Sequence, residues 1–228
     1  MQCFMAPSVS SVSNLRRASA VRWIASAALL LCTLAAAEPK APLILVVGDS
    51  ISAAYGLPAG AGWTSLLQKR LLAEHYPHRV VNASISGDTT ASGRARLPVL
   101  LHQYRPAITV IELGGNDGLR GGSLDAMKTN LDAMVAAVQR AGSRALLLGI
   151  RLPPNYGPAY VRRFDATFVE VAGKRKAAVV PFLFEGFAEN DDMFQADRIH
   201  PVADAQPKLL DNVWHVLKPL LTATGKSR

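Results

Sequence analysis

The chain has 228 residues, half of them hydrophobic, with 25 lysines and arginines against 17 acids and a formal net charge of +8. That length suits one domain with a sizeable core, and the absence of long low-complexity stretches excludes a disordered or fibrous chain. Both cysteines, Cys3 and Cys32, precede Ala37, so the rest of the chain can use neither a cysteine nucleophile nor a thiolate metal site.

In chain order, Arg16, Arg17 and Arg22 precede an apolar run from Trp23 to Leu34, and Ala35-Ala36-Ala37 follow it. A basic segment, a short apolar run and an A-x-A site mark a secretory leader. Residues 1–37 are therefore expected to be a cleaved signal peptide, and 38–228 a single domain with its core at about 43–221. The run is short for a membrane anchor. Ala18, Ser19 and Ala20 argue against a twin-arginine signal, and Leu31 before Cys32 argues against lipid attachment. Cleavage removes three arginines and no acid, leaving 191 residues, no cysteine and a net charge of +5. The expected location is periplasmic or secreted.

Leu43–Val47 is an unbroken aliphatic run, as in a strand buried on both faces. Trp63–Glu74 has helical spacing, and Val80–Asn82 predicts a short strand. Thr89–Gln103 can be helical, with Pro98 expected to bend or interrupt it. Ile108–Leu113 predicts a strand, and Ser123 can cap a helix that runs to about Arg140 before Ala141-Gly142. A strand over Ala145–Ile150, a helix over Ala159–Lys174, a strand over Ala178–Phe182 and a mostly helical Pro201–Leu221 complete the order. The alternation implies an α/β fold with parallel strands.

Four segments could carry chemistry, each at the end of a strand or in the last loop, where open α/β sheets hold their ligands. Gly48-Asp49-Ser50 follows the first strand; a serine there is often only a turn residue, but it can also be a nucleophile. Position 52 is Ser52, so this is not the G-x-S-x-G elbow. Gly87, after the second strand, can supply a backbone N–H, and Asn116 in Gly114-Gly115-Asn116-Asp117 can supply side-chain donors, although G-N-D is also plain turn chemistry. Asp197-Arg198-Ile199-His200 sets an acid three residues before a histidine, close enough to orient a general base. His75, His78, His102 and His215 show no metal-ligand spacing with that pair.

The order Ser, Gly, Asn, Asp-x-x-His resembles the SGNH (GDSL) hydrolase family. The stretches Gly48–Ala53, Asn82–Thr89, Glu112–Arg120 and Ile150–Tyr156 resemble its bacterial periplasmic acyl-CoA thioesterase/lysophospholipase/arylesterase group. The resemblance spans about Leu43 to Leu220. It implies a flavodoxin-like three-layer sandwich, a five-stranded parallel sheet with helices on both faces, and no metal or organic cofactor. By position it implies Ser50 as nucleophile, His200 as base, Asp197 as its orienting acid, and an oxyanion hole of Ser50 N–H, Gly87 N–H and the Asn116 side chain. Arg198 stands where the family often has glycine, placing a positive charge near the site mouth.

The loop Arg151–Pro158 is the expected wall of an apolar groove, with Leu152, Pro153 and Tyr156 exposed to it, and its prolines and Gly157 argue against regular structure. The function expected is hydrolysis of acyl esters and thioesters by a Ser-His-Asp triad. The alternatives are a carbohydrate acetylesterase on the same fold and a non-catalytic periplasmic protein that binds acyl ligands. The expected partner is a small acyl ester, thioester or lysophospholipid, bound by a monomer. Dispersed basic pairs such as Lys69-Arg70 and Arg162-Arg163 read as a solvated surface, with at most weak membrane contact and no nucleic-acid partner.

Overall fold

The structure, a computed structural model, describes residues 41–222 and, outside that run, Gln2. The signal peptide expected over 1–37 otherwise lies outside the described residues. The elements are β1 (Leu43–Gly48), α1 (Trp63–Ala73), β2 (Arg79–Asn82), α2 (Thr90–Tyr104), β3 (Ile108–Glu112), α3 (Gly115–Leu119), α4 (Leu124–Arg140), β4 (Arg144–Leu148), α5 (Pro158–Arg175), β5 (Ala178–Val180) and α6 (Gln206–Thr222).

All strand pairs are parallel, in the order β2-β1-β3-β4-β5, the flavodoxin-like arrangement expected. Side chains alternate between the two faces of the sheet. Leu45, Val47, Ile111 and Leu147 pack beneath α2, α4 and α5, with Leu97, Leu131 and Phe168 among their neighbours. Ile44, Val46, Val110, Leu146 and Leu148 pack on the other face beneath α1 and α6, against Trp63, Leu67 and Val213. Burial on both sides explains why β1, β3 and β4 are near-continuous aliphatic runs.

Pro98 neither breaks nor shortens α2. It lies on the solvent side, as does Arg94 one turn earlier, so water can satisfy the carbonyl that loses its N–H partner. The Thr89 hydroxyl accepts from Ser92 N–H and Ser92 Oγ accepts from Thr89 N–H, a capping box that sets the start of α2. The last two strands are shorter than expected. Pro181 cannot donate to a ladder, and Gly149 turns to bond Val180 O and Leu183 N–H instead. The expected irregular loop after β4 holds one 3-10 turn, Pro154–Tyr156.

The G-N-D segment is the short helix α3 rather than a simple turn. Gly114 has φ +123°, open only to glycine, and there its carbonyl accepts from Gly118 N–H. Asp117 then accepts from the backbone N–H of Thr90 at 2.8 Å and from its hydroxyl at 2.6 Å. This carboxylate at the start of α2 ties α3 to that helix and complements its N-terminal dipole.

Candidate active site

Ser50 follows β1 by two residues, Gly87 follows β2, Asn116 follows β3, and Asp197 and His200 lie in the loop between β5 and α6. The parallel order therefore brings all five to the carboxyl edge of the sheet. His200 Nε2 lies 2.8 Å from Ser50 Oγ, and His200 Nδ1 lies 2.6 Å from Asp197 Oδ2. With Asp197 ionised, Nδ1 carries the proton and Nε2 faces the serine as an acceptor.

The loop that carries the acid and the imidazole is braced locally. Asp197 Oδ1 accepts from the backbone N–H of Ile199 at 2.9 Å and of His200 at 3.1 Å. Burial pushes the Asp197 carboxyl up, but the His200 ring and these two N–H groups outweigh it and hold its pKa down at about 2. Gln195 N–H donates to His200 O at 2.7 Å, while Gln195 Nε2 donates to Tyr55 O at 2.8 Å, joining this loop to the turn after Ser50. Phe194 bridges to Pro201 and packs on Phe184 and Phe187. Tyr55 lies over the His200 ring, with 4.7 Å between centroids.

Arg198 takes the left-handed conformation, φ +58°, at the position where glycine is frequent. Such a residue costs on the order of 1 kcal/mol. Its charge is not left open at the site mouth, because the guanidinium pairs with Asp191.

Among the described residues no group accepts from the backbone N–H of Ser50 or Gly87. Gly87 has φ +85°, and Asp88 N–H closes a turn onto Ile85 O at 3.1 Å, so the glycine permits a type II-like reversal. Asn116 Nδ2 donates to Asp49 Oδ2 at 3.2 Å and to Asp88 O at 3.0 Å. It thus sits between the residue before Ser50 and the residue after Gly87. A third acceptor at this nitrogen would have to share one of those two hydrogens.

The expected groove wall is only partly formed as foreseen. Leu152 is 6% exposed and belongs to the core, lying close against Gly118, so it is not a surface wall. Tyr156 is half-buried, with its hydroxyl donating to Leu119 O at 2.9 Å, and Pro153 is exposed. Apolar side chains that do reach solvent beside the site are Tyr55, Ile85 and Ile199. Each stands alone among small or polar residues in sequence, which is why an unbroken apolar pattern does not reveal them.

A buried acid pair below the serine escapes sequence reading altogether. Asp49 and Glu112 are 2% and 1% exposed. Glu112 Oε2 accepts from Ser52 Oγ at 2.8 Å and Ser52 N–H at 3.2 Å, and it faces Asp49 N–H. Burial raises the Asp49 carboxyl to about 6, against the hydrogen bonds from Ile51 and Asn116. Burial and the neighbouring Asp49 charge push Glu112 well above the usual carboxylate range. An acid whose pKa rises on folding adds stability below its unfolded value and loses it as pH climbs through the folded value. Glu112→Gln keeps an acceptor for Ser52 and removes the charge. Its Tm should exceed that of the parent at pH 8, by about 2–4 °C per kcal/mol of relief, and by less at pH 5. Equal shifts at the two pH values would exclude ionisation of Glu112 as the cause.

Residues 46–206 match the GDSL-like lipase/acylhydrolase family. Esterase TesA of Pseudomonas aeruginosa is 56% identical over 184 residues, covering 81% of this chain and 92% of that protein. The thioesterase 1/protease 1/lysophospholipase L1 of Escherichia coli K12 is 41% identical over 193 residues, covering 85% and 90%. A crystal structure of a protein named TesA superposes with a TM-score of 0.77 at 57% identity, over 78% of this chain and 99% of that one. The psychrotrophic esterase EstA from Pseudoalteromonas, inhibited by monoethylphosphonate, gives 0.75 at 41% identity, over 79% and 98%. With the fold, the matched residues and these relatives in agreement, the chain belongs to the GDSL-like lipase/acylhydrolase family of hydrolases.

Proposed function

We propose that the protein is a serine esterase and thioesterase in which Ser50 attacks the acyl carbonyl. The unbroken line Asp197–His200–Ser50, with contacts of 2.6 and 2.8 Å, is the observation that carries this reading. His200 Nε2 takes the Ser50 proton as the Oγ–carbon bond forms, and Asp197 stabilises the resulting imidazolium. The oxyanion is received by Ser50 N–H, Gly87 N–H and Asn116 Nδ2. His200 then protonates the departing alcohol or thiol as the acyl–oxygen or acyl–sulfur bond breaks. Water, deprotonated by the same imidazole, releases the carboxylic acid and restores Ser50.

Esterase, thioesterase and lysophospholipase names among the relatives support an acyl-lipid substrate over a sugar acetate. The exposed Tyr55, Ile85 and Ile199 supply an apolar rim for the acyl chain, with Pro153 and Tyr156 on the loop after β4. The leader read over residues 1–37 supports a periplasmic or secreted location.

A p-nitrophenyl ester series from acetate to palmitate tests the reading. Hydrolysis by the mature protein should peak at intermediate or long chains; activity confined to acetate would favour a sugar acetylesterase. Asn116→Ala should lower kcat by roughly 100- to 1000-fold. A loss under about threefold would remove Asn116 from the hole.

A further inference from the structure

We propose that Arg96, on α2, is a positioning residue for the oxyanion hole, holding the loops after β1 and β2 in a fixed relation. The proposal rests on the assignment of that hole to Ser50, Gly87 and Asn116. Arg96 is largely buried, its side chain 20% exposed, and all three of its nitrogens are engaged. Nε donates to Asp88 Oδ2 at 2.7 Å, Nη1 to Ala83 O, and Nη2 to Gly48 O at 3.3 Å.

These acceptors are the places from which the hole is built. Gly48 is the last residue of β1 and stands two before Ser50. Ala83 and Asp88 bracket the turn that presents Gly87 N–H. Asp88 O, on the residue whose carboxylate Arg96 grips, is itself an acceptor for Asn116 Nδ2 at 3.0 Å. One guanidinium therefore reaches both backbone donors through their own loops and the side-chain donor through Asp88.

A guanidinium spreads its donors over three nitrogens in one fixed plane and so meets a carboxylate and two carbonyls at separate places; an ammonium gathers its three donors on one nitrogen at the end of a flexible stem. The Asp88 carboxylate, 11% exposed, would be left without its partner if Arg96 were truncated. Loosening the donors weakens binding of a charge that exists only in the transition state. The loss should fall on kcat, with KM little changed.

The test is a double-mutant cycle on a medium-chain p-nitrophenyl ester, with folding followed by near-UV circular dichroism. Arg96→Ala should lose about 100-fold in kcat, comparable with one oxyanion donor, and Arg96→Lys at least tenfold. The Arg96→Ala/Asn116→Ala double variant should lose at least about tenfold less than the product of the two single losses, because both changes act on one device. Millimolar guanidinium should restore part of the kcat of Arg96→Ala and none of that of Asn116→Ala. If Arg96→Ala does not fold, Arg96→Lys and Asp88→Asn, each crossed with Asn116→Ala, carry the same cycle.

A kcat for Arg96→Lys within about threefold of the parent overturns the proposal. So does a double variant whose loss is the product of the two single losses. Failure of the underlying reading looks different: Asn116→Ala would itself be nearly silent, whatever Arg96 does.

Discussion

Replacing Ser50 by alanine is expected to lower kcat on p-nitrophenyl esters by roughly 10⁵- to 10⁶-fold while leaving the fold intact. Among the described residues the serine hydroxyl makes one hydrogen bond, to His200 Nε2. Its removal deletes the proposed nucleophile and leaves the imidazole facing a space that solvent can reach, so little stability is at stake. What survives is the catalysis that an oxyanion hole and a bound substrate give to attack by water, roughly 10³–10⁴ over the uncatalysed rate. Steady-state kinetics and intact-protein mass after exposure to a phosphonate ester check the two halves of the claim. The parent should gain one phosphonyl group and Ser50→Ala none. A loss below about tenfold, or equal labelling of both proteins, would take the nucleophile away from Ser50.

Asp197→Asn should cost about 10⁴-fold in kcat. The carboxylate accepts from His200 Nδ1 through Oδ2, and from the N–H groups of Ile199 and His200 through Oδ1. An amide keeps the size and can keep the Oδ1 bonds. Its N–H₂ would then point at Nδ1, which turns the imidazole to the tautomer with its proton on Nε2, facing Ser50 and unable to act as base. The pH behaviour follows from the depressed pKa of about 2. Asp197 stays ionised throughout the neutral and mildly acidic range, so no limb of the kcat profile above about pH 4 belongs to it. Its effect on stability has the sign of a lowered acid: present above the ordinary carboxylate value and lost as pH falls toward 2. A kcat loss confined to about tenfold would reduce Asp197 to a loop brace.

The strands were legible because burial on both faces forces long aliphatic runs, as in Leu43–Val47 and Ile108–Ile111. Ser50, Gly87, Asn116, Asp197 and His200 were legible as a group because they stand in order after strands and in the last loop, which a parallel sheet gathers at one edge. What stayed hidden depends on contacts that have no local signature. Arg96 reads as one more arginine on a helix until Gly48, 48 residues away, is found at its tip. Glu112 looks like the polar end of a strand, yet it is sealed beneath the serine with Asp49. Leu152 sits just before two prolines and reads as loop surface, but the small Gly118 gives it room to enter the core. Pro98 reads as a break because the sequence does not show that its side of α2 faces water.

The contact between His200 and Ser50 spans 150 positions of the chain. During synthesis from the N-terminus, the serine turn and the donor loops emerge well before the histidine, and α6 must follow to cover its face of the sheet. On the proposed mechanism, a polypeptide halted anywhere before the last loop carries a serine with no base. The hydrolase is thereby silent while it is being made, and in refolding esterase activity is expected to return only once the loop that carries His200 has docked at the edge of the sheet.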